Sequence, residues 1–261
     1  MSQNLKPEVV AIIPARYAST RLPAKPLIDL CGKPMIQHVY EGAKQAALVD
    51  RVIVATDHQA IVDATRGFGG DAVMTPVSCR SGSDRIAHVA KWLGTTDIIV
   101  NVQGDEPMIT PEMIDDAVRL VTEDSEVQVG TLIRKICSGE ELTSFNVVKV
   151  VLDRNGFAIY FSRSPIPSLR DRVDMSTWHF EHTFYKHIGL YAYRKEFLLE
   201  FASWPQSILE SAEKLEQLRI IEHGYKIKTA ETVHDSIPVD TAADAECIRR
   251  IMKQHISIGT A

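Results

Sequence analysis

Three cations and two carboxylates in this chain have the types and positions needed to manage a polyphosphate. Arg16, Arg21 and Lys25 follow the apolar run Val9–Ile13, in the stretch VVAIIPARYASTRLPAKPL, among small and turn-forming residues. Arginine grips phosphate oxygens in pairs and lysine adds a compact charge, so a cation-rich loop after a strand can hold an anion. The alternative is a solvated basic loop. Pro14, Pro23 and Pro26 limit φ and lower the ordering cost of binding. The loop matches neither GxxxxGK[ST] nor GxGxxG, so neither a P-loop nor a dinucleotide fingerprint applies.

The acids come later. In NVQGDEP an apolar strand runs into Gly104, which lets the backbone turn close to a ligand, and then into Asp105 and Glu106. A carboxylate at that strand end stands where Mg²⁺ bridging phosphates would sit; its other reading is a helix cap or turn. Asp240 precedes a helix, where Thr241 is already a good cap, and its role stays open between metal ligand and structure. Ser81-Gly82-Ser83-Asp84-Arg85 lies at a helix start and can cradle a nucleotide or serve as an N-cap, with Ser83 as the capping residue. In the second half, Arg163, His187, Tyr191, Glu216 and Gln217 are polar residues inside apolar segments. They are candidates for sugar hydroxyl and carboxylate contacts, or satisfied core and surface groups. No nucleophile elbow or triad motif is present. That suits a reaction in which the substrate's own hydroxyl attacks phosphorus, where positioning and charge neutralisation do most of the catalysis.

These residues need a frame. Val9–Ile13, Arg51–Ala55, Ala72–Met74 and Asp97–Val102 read as strands. Helical stripes lie between and after them: Ile36, Val39, Tyr40, Ala43 and Ala47, within a helix over Pro34–Val49; Ile86, Val89, Ala90 and Leu93; and Ile114, Ala117, Val118 and Val121. Alternation of this kind predicts an α/β fold with a mostly parallel sheet covered by helices, and ligands beyond the carboxyl ends of the strands. Arg16, Asp57 and Gln103–Glu106 fall at those ends. The second half is less regular. Val147–Leu152 and Phe157–Phe161 predict a hairpin around Asp153-Arg154-Asn155-Gly156, His187–Tyr193 a strand, and Ser211–His223 one helix with Leu215 and Leu218 inward. Thr241 and Asp244 form a capping box for a last helix through about His255. Ser168–Thr183 reads as a mobile or interfacial loop.

Composition narrows the function. A chain of 261 residues, 45% hydrophobic and 24% charged, can bury a substantial core as one domain, 1–261. A formal charge of −5 argues against a nucleic-acid partner but not against small anions. No apolar stretch reaches spanning length, which predicts no membrane insertion. Cys31, Cys79, Cys137 and Cys247 form no CxxC, so structural zinc is not expected and a reduced, cytoplasmic setting is.

The segments IIPARYASTRLPAKPL, GKPMIQHV, VATDH, SGSDRIA, NVQGDEPMI, VKVVLD, YFSRSPIP, HIGLYAYR, KLEQLR and VDTAADAE occur in this order. Together they resemble the CMP-Kdo synthetases, the 3-deoxy-manno-octulosonate cytidylyltransferases of Gram-negative bacteria, along nearly the whole chain. The resemblance implies a Rossmann-like nucleotidyltransferase fold with an inserted dimerisation and sugar-binding region at 155–194, and a homodimer. It implies the substrates CTP and Kdo, the products CMP-Kdo and diphosphate for lipopolysaccharide synthesis, and Mg²⁺ as cofactor. It assigns Arg16, Arg21 and Lys25 to the CTP phosphates, with Arg16, Lys25 and Asp105 catalytic. Ser81, Gly82, Arg85 and Gln103 join the nucleotide site, and Asp105 and Asp240 hold the metal. Arg163, His187, Tyr191, Glu216 and Gln217 face the sugar acid.

The chain departs from the family pattern in places. Ala24 stands where the family often has glycine, which implies a position that does not need positive φ; SGSDR replaces SGTER. The unalignable Ser168–Thr183 loop leaves an amino-substituted Kdo as an alternative substrate. CMP-sialic acid synthetases differ in the first loop, which there resembles ARGGSKG. An inactive nucleotide-binding regulator is a further alternative, and the joint presence of Arg16, Lys25, Asp105 and Asp240 argues against it.

Overall fold

The run Val9–Ile13 is buried along its whole length, as a strand covered on both faces must be. The structure, a computed structural model, describes residues 6–18 and 22–259, with side chains to Gln254. The chain divides into two compact units, Met1–Asp115 with Asp235–Ala261, and Asp116–His234. In chain order the first contains β1 (Glu8–Ala15), the short hairpin β2 (Asp29–Leu30) and β3 (Lys33–Pro34), α1 (Met35–Lys44), β4 (Arg51–Thr56), α2 (Gln59–Gly67), β5 (Asp71–Met74), α3 (Gly82–Ala90), β6 (Thr96–Asn101) and the start of α4 (Pro111–Thr122). Apart from that hairpin, its strands lie in the order β6-β1-β4-β5, and each of these pairings is parallel. The carboxyl ends of β1, β4 and β6 therefore open on one edge, where Arg16, Asp57 and Gln103–Asp105 follow.

The second unit contains β7 (Val129–Lys135), α5 (Gly139–Thr143), β8 (Lys149–Leu152), β9 (Ala158–Ser162), β10 (Tyr185–Arg194), α6 (Lys195–Ser203), α7 (Ile208–Glu213), α8 (Gln217–Glu222) and β11 (Lys228–Glu231). Here β7 pairs antiparallel with β10 and parallel with β11, while β8 joins β10 and carries β9 as a hairpin. The hairpin is the one expected: Gly156 takes φ +74° and Asp153 accepts from the N–H groups of Asn155 and Phe157. The C-terminal helix, Ala242–Gly259, belongs to the first unit. It begins with the expected capping box, Asp244 accepting from Thr241 N–H at 2.8 Å and Thr241 Oγ1 accepting from Asp244 N–H at 3.2 Å. Its apolar side packs Ala245 and Ile248 against Leu30 and Met35.

Several expectations change. The helix read over Pro34–Val49 ends at Lys44, and Ala47 is exposed. The Asp115 carboxylate takes the N–H groups of Ala47 and Leu48 and turns the chain toward β4. Likewise α3 ends at Ala90, before Leu93. The single helix read over Ser211–His223 is two. Ser207, whose N–H donates to Glu210 Oε2 at 3.1 Å, starts α7, and Lys214, at φ +56°, breaks the chain before α8. The Ser168–Thr183 segment is anchored by a 3₁₀ turn, Met175–Phe180, whose Trp178 joins Ile136, Leu142 and Phe184 in a core cluster.

The turn that presents Lys25 depends on Ala24. Ala24 donates to Tyr17 O at 3.3 Å and accepts from Leu27 N–H at 2.8 Å, which closes the turn. It does so at φ +51°, the left-handed conformation that an alanine was expected not to adopt. The strain is tolerated because the loop closure and Pro26 determine the backbone around it. For an L-residue this region costs roughly 1–2 kcal/mol, against about 0.5–1 kcal/mol for the extra freedom glycine loses on folding. Ala24→Gly is therefore expected to stabilise the protein by up to about 1 kcal/mol. Urea unfolding checks this; an unchanged or lowered midpoint contradicts it.

Candidate active site

The geometry of the site is set by backbone approach. Gly104 follows β6, and a Cβ there would fall 2.7 Å from Pro14 O, so only glycine lets this loop pass so close to the end of β1. The stretch before the C-terminal helix is then laid along it. Val239 N–H donates to Asp105 O at 2.9 Å, and Ser236 Oγ donates to the buried Glu106 at 2.7 Å. These bonds bring Asp240 beside Asp105. Between them lies Lys25, whose Nζ is 2.5 Å from Asp105 Oδ2 and 3.1 Å from Asp240 Oδ1. Burial alone would lower the Lys25 pKa, but the two carboxylates outweigh it and raise it, so the ammonium is firmly charged.

Two carboxylates that reach one ammonium can also reach one divalent cation. Among the described residues no group of three or more His, Cys, Asp or Glu side chains is arranged to hold a metal. Mg²⁺ commonly takes one or two carboxylates and completes its shell with substrate phosphates and water. The donor set thus fits a metal that arrives with a polyphosphate.

Around this centre, Arg16 is exposed and donates to Cys79 O at 3.0 Å. Arg21 lies outside the described residues. Ser81, not the expected Ser83, caps α3, accepting from Asp84 N–H at 3.1 Å; Ser83 is buried in the first turn. A Cβ at Gly82 would stand 3.4 Å from the Pro14 ring. Gln103 is half-buried and donates to Asn101 Oδ1 at 3.4 Å. Arg85 of the same motif is turned inward. Its side chain is fully buried and bonds Thr75 Oγ1 and Asp57 Oδ2, the latter at 2.8 Å. Asp57 in turn accepts from Tyr17 N–H at 3.4 Å, so Arg85 acts on the cation loop through Asp57. The Tyr17 ring stacks on His58 at 3.7 Å, fixing the start of that loop from the side.

In the second unit, β10 slips register against β7 between Ile188 and Tyr191. Thr131 Oγ1 fills the irregularity, lying 3.1 Å from Ile188 O, 2.8 Å from Leu190 O and 3.0 Å from His187 Nε2. His187 packs edge-on to Phe161 and 5.2 Å from the Tyr191 ring. Burial pushes its pKa down to about 3, so the imidazole is neutral. The Tyr191 hydroxyl is buried, in a residue 7% exposed, with no hydrogen-bond partner among the described residues. Burial, then Tyr193 and Glu216, raise its pKa well above the usual phenol value. Glu216 stands at the head of α8 without a side-chain capping bond and lies 3.7 Å from Arg219, which is itself held in a bidentate pair by Glu210; Gln217 is buried in the first turn. Arg163 stands after β9. His187, Tyr191 and Glu216 thus gather around one buried hydroxyl.

Sequence reasoning passed over Asp57 as a support, and missed Thr131, Lys149 and Glu213. Lys149 carried a signal: a lone lysine in the apolar run VKVVLD, pointing to the same side as Ser162 on the paired strand.

Comparison with known proteins places this arrangement. Residues 10–227 match the family model described as cytidylyltransferase. The 3-deoxy-manno-octulosonate cytidylyltransferase of Geotalea uraniireducens is 52% identical over 95% of this chain and 100% of its own length. That of Geobacter sulfurreducens is 51% identical over 94% of this chain and 99% of its own. A solved structure of CMP:2-keto-3-deoxy-manno-octonic acid synthetase complexed with CTP is 43% identical, covers 95% of this chain and 99% of its own, and superposes with a TM-score of 0.88. The identity extends over both units, and the chain belongs to the cytidylyltransferase family, among the 3-deoxy-manno-octulosonate cytidylyltransferases.

Proposed function

We propose that this chain joins CTP to Kdo, giving CMP-Kdo and diphosphate, with the triphosphate managed by Lys25, Arg16, Asp105 and Asp240. The observation that carries this reading is the convergence of Asp105 and Asp240 on Lys25 at the carboxyl edge of a parallel sheet. The bond that forms joins the anomeric 2-oxygen of Kdo to the α-phosphorus, the bond from the α-phosphorus to the departing diphosphate breaks, and the hydroxyl proton is released to solvent. Lys25 and Arg16, with Arg21, neutralise the charge that gathers on the leaving group. Asp105 and Asp240 hold Mg²⁺, which when bound offsets the negative charge of the phosphates. Ser81, Gly82 and Gln103 take the nucleoside side, supported by the closeness of α3 to Pro14.

Arg163 pairs with the Kdo carboxylate, and Tyr191, His187, Glu216 and Gln217 read its hydroxyls. Support comes from the buried Tyr191 hydroxyl: a donor without a partner costs about 1–3 kcal/mol, which a sugar hydroxyl would offset. The neutral His187 lets the same surface accept or donate without adding charge. The product is activated Kdo for lipopolysaccharide synthesis.

The chain further pairs with a second copy through the second unit. In its support, Val173 is 99% exposed and Phe180 80% exposed on the segment around the Trp178 anchor. Sedimentation equilibrium at micromolar concentration is expected to return a dimer, and a monomer after Val173→Asp with Phe180→Asp. A fully active wild-type monomer contradicts the pairing.

Release of diphosphate from CTP with a panel of sugar acids tests the reaction; Kdo is expected to be the strongly preferred acceptor. In the same assay Asp105→Asn is expected to lower kcat by roughly 100- to 1000-fold, the scale of losing one aligned electrostatic contact, while the protein stays folded. Near-normal turnover at saturating CTP and Mg²⁺ contradicts the role of Asp105.

A further inference from the structure

Among the described residues Lys149 is buried with no carboxylate in its bonding shell. Its side chain is fully buried in β8, and its Nζ donates to three backbone carbonyls: Ser144 O at 2.8 Å, Val147 O at 2.6 Å and Arg163 O. Burying an ammonium costs more than burying a methionine of similar length, so packing alone does not explain it. What the ammonium does is join two separate segments, the turn at 144–147 and the backbone of Arg163.

Those same segments hold the Arg163 side chain. Its Nη1 donates to Phe145 O at 3.0 Å, one residue from the Ser144 carbonyl that Lys149 grips. Its Nε donates to Glu213 O at 2.8 Å, and its backbone N–H to Glu213 Oε2 at 3.0 Å. Ser162 Oγ donates to Glu213 Oε1 at 2.6 Å. Two edges of the guanidinium fork are thus fixed, and Nη2 has no protein partner among the described residues, which suits a carboxylate ligand. Lys149 touches both the acceptor that aims the fork and the backbone that carries it.

We infer that Lys149 is a positioning residue for sugar binding: its ammonium locks the 144–147 turn to Arg163 and so aims the Arg163 guanidinium at the sugar-acid carboxylate. This rests on the reading of Arg163 as a Kdo contact. Lys149 itself touches no substrate.

A double-mutant cycle tests it. Lys149→Met is expected to raise KM for Kdo about tenfold or more, with KM for CTP changed by less than about twofold. In an Arg163→Ala background, adding Lys149→Met is expected to change KM for Kdo by less than about twofold, because its effect passes through Arg163. Multiplying effects, an unchanged KM for Kdo, or equal rises for both substrates overturn the positioning role. If Arg163→Ala leaves KM for Kdo unchanged, the reading of Arg163 falls and the inference with it. A raised KM in Arg163→Ala beside a normal one in Lys149→Met overturns the inference alone.

A second measurement needs no variant that might misfold. Burial, then the Arg163 charge, push the Lys149 pKa down to about 8, with Glu213 opposing. From the paired strand Lys186 turns its ammonium to Glu141. The ammonium is present below that value and lost above it. His187, at about 3, and Tyr191 and Lys25, both raised, stay in one state through this window. KM for Kdo is expected to climb between pH 7 and about 9.5, while KM for CTP stays level. A level KM for Kdo while the Lys149 amine, followed by NMR, loses its proton in this window overturns the inference.

Discussion

The ion pair between Lys25 and the two aspartates is the constraint on which the site depends. Asp105 and Asp240 come from distant parts of the chain, and two carboxylates held side by side repel one another. Lys25 at 2.5 and 3.1 Å removes that repulsion and ties a third segment to them. The rest of the first unit delivers these three groups to one point. Parallel strands align the carboxyl ends, Gly104 lets the loop after β6 run against Pro14, and Val239 N–H on Asp105 O sets the register of the stretch that carries Asp240. The same cluster has two possible partners of opposite sign: a polyphosphate for the lysine and a divalent cation for the acids.

The second unit works by a different rule. Burial holds two of its candidate groups neutral, lowering the pKa of His187 and raising that of Tyr191. Charges there sit in defined pairs, such as Arg219 with Glu210, or in the carbonyl cage of Lys149. A neutral, partly unsatisfied hydroxyl surface suits discrimination among polyols, because an analogue lacking one hydroxyl leaves a buried group unpaired. In the proposed reading, charge management falls to the first unit and hydroxyl reading to the second.

Much of this was legible in the sequence because buried parallel strands read as continuous apolar runs. Val9–Ile13, Arg51–Ala55 and Asp97–Val102 each fall within a residue or two of an observed strand. The capping box at Thr241 and the turn at Asn155-Gly156 were legible because specific side chains make those bonds locally. What was not legible depended on tertiary closure. Ala24 takes a glycine-like φ because Tyr17 O and the Lys25–Leu27 turn demand it. Lys214 breaks a periodic helix with no glycine or proline to mark the place. Arg85 reads as a ligand contact by motif, and its bonds to Asp57 and Thr75 depend on packing that the motif does not encode. Family resemblance carried the sugar residues into view, but gave no sign of Lys149 or Glu213, whose bonds are to backbone and to one another's neighbours.

The central claim is that Lys25 stands between the carboxylates until nucleotide and metal take them over. A crystal structure of the protein with CTP and Mn²⁺, with data at the manganese edge, tests this most directly. The account predicts an anomalous peak coordinated by both Asp105 and Asp240, with the Lys25 ammonium moved onto the phosphates. A peak away from either carboxylate, or Lys25 still spanning both with CTP bound, would contradict it.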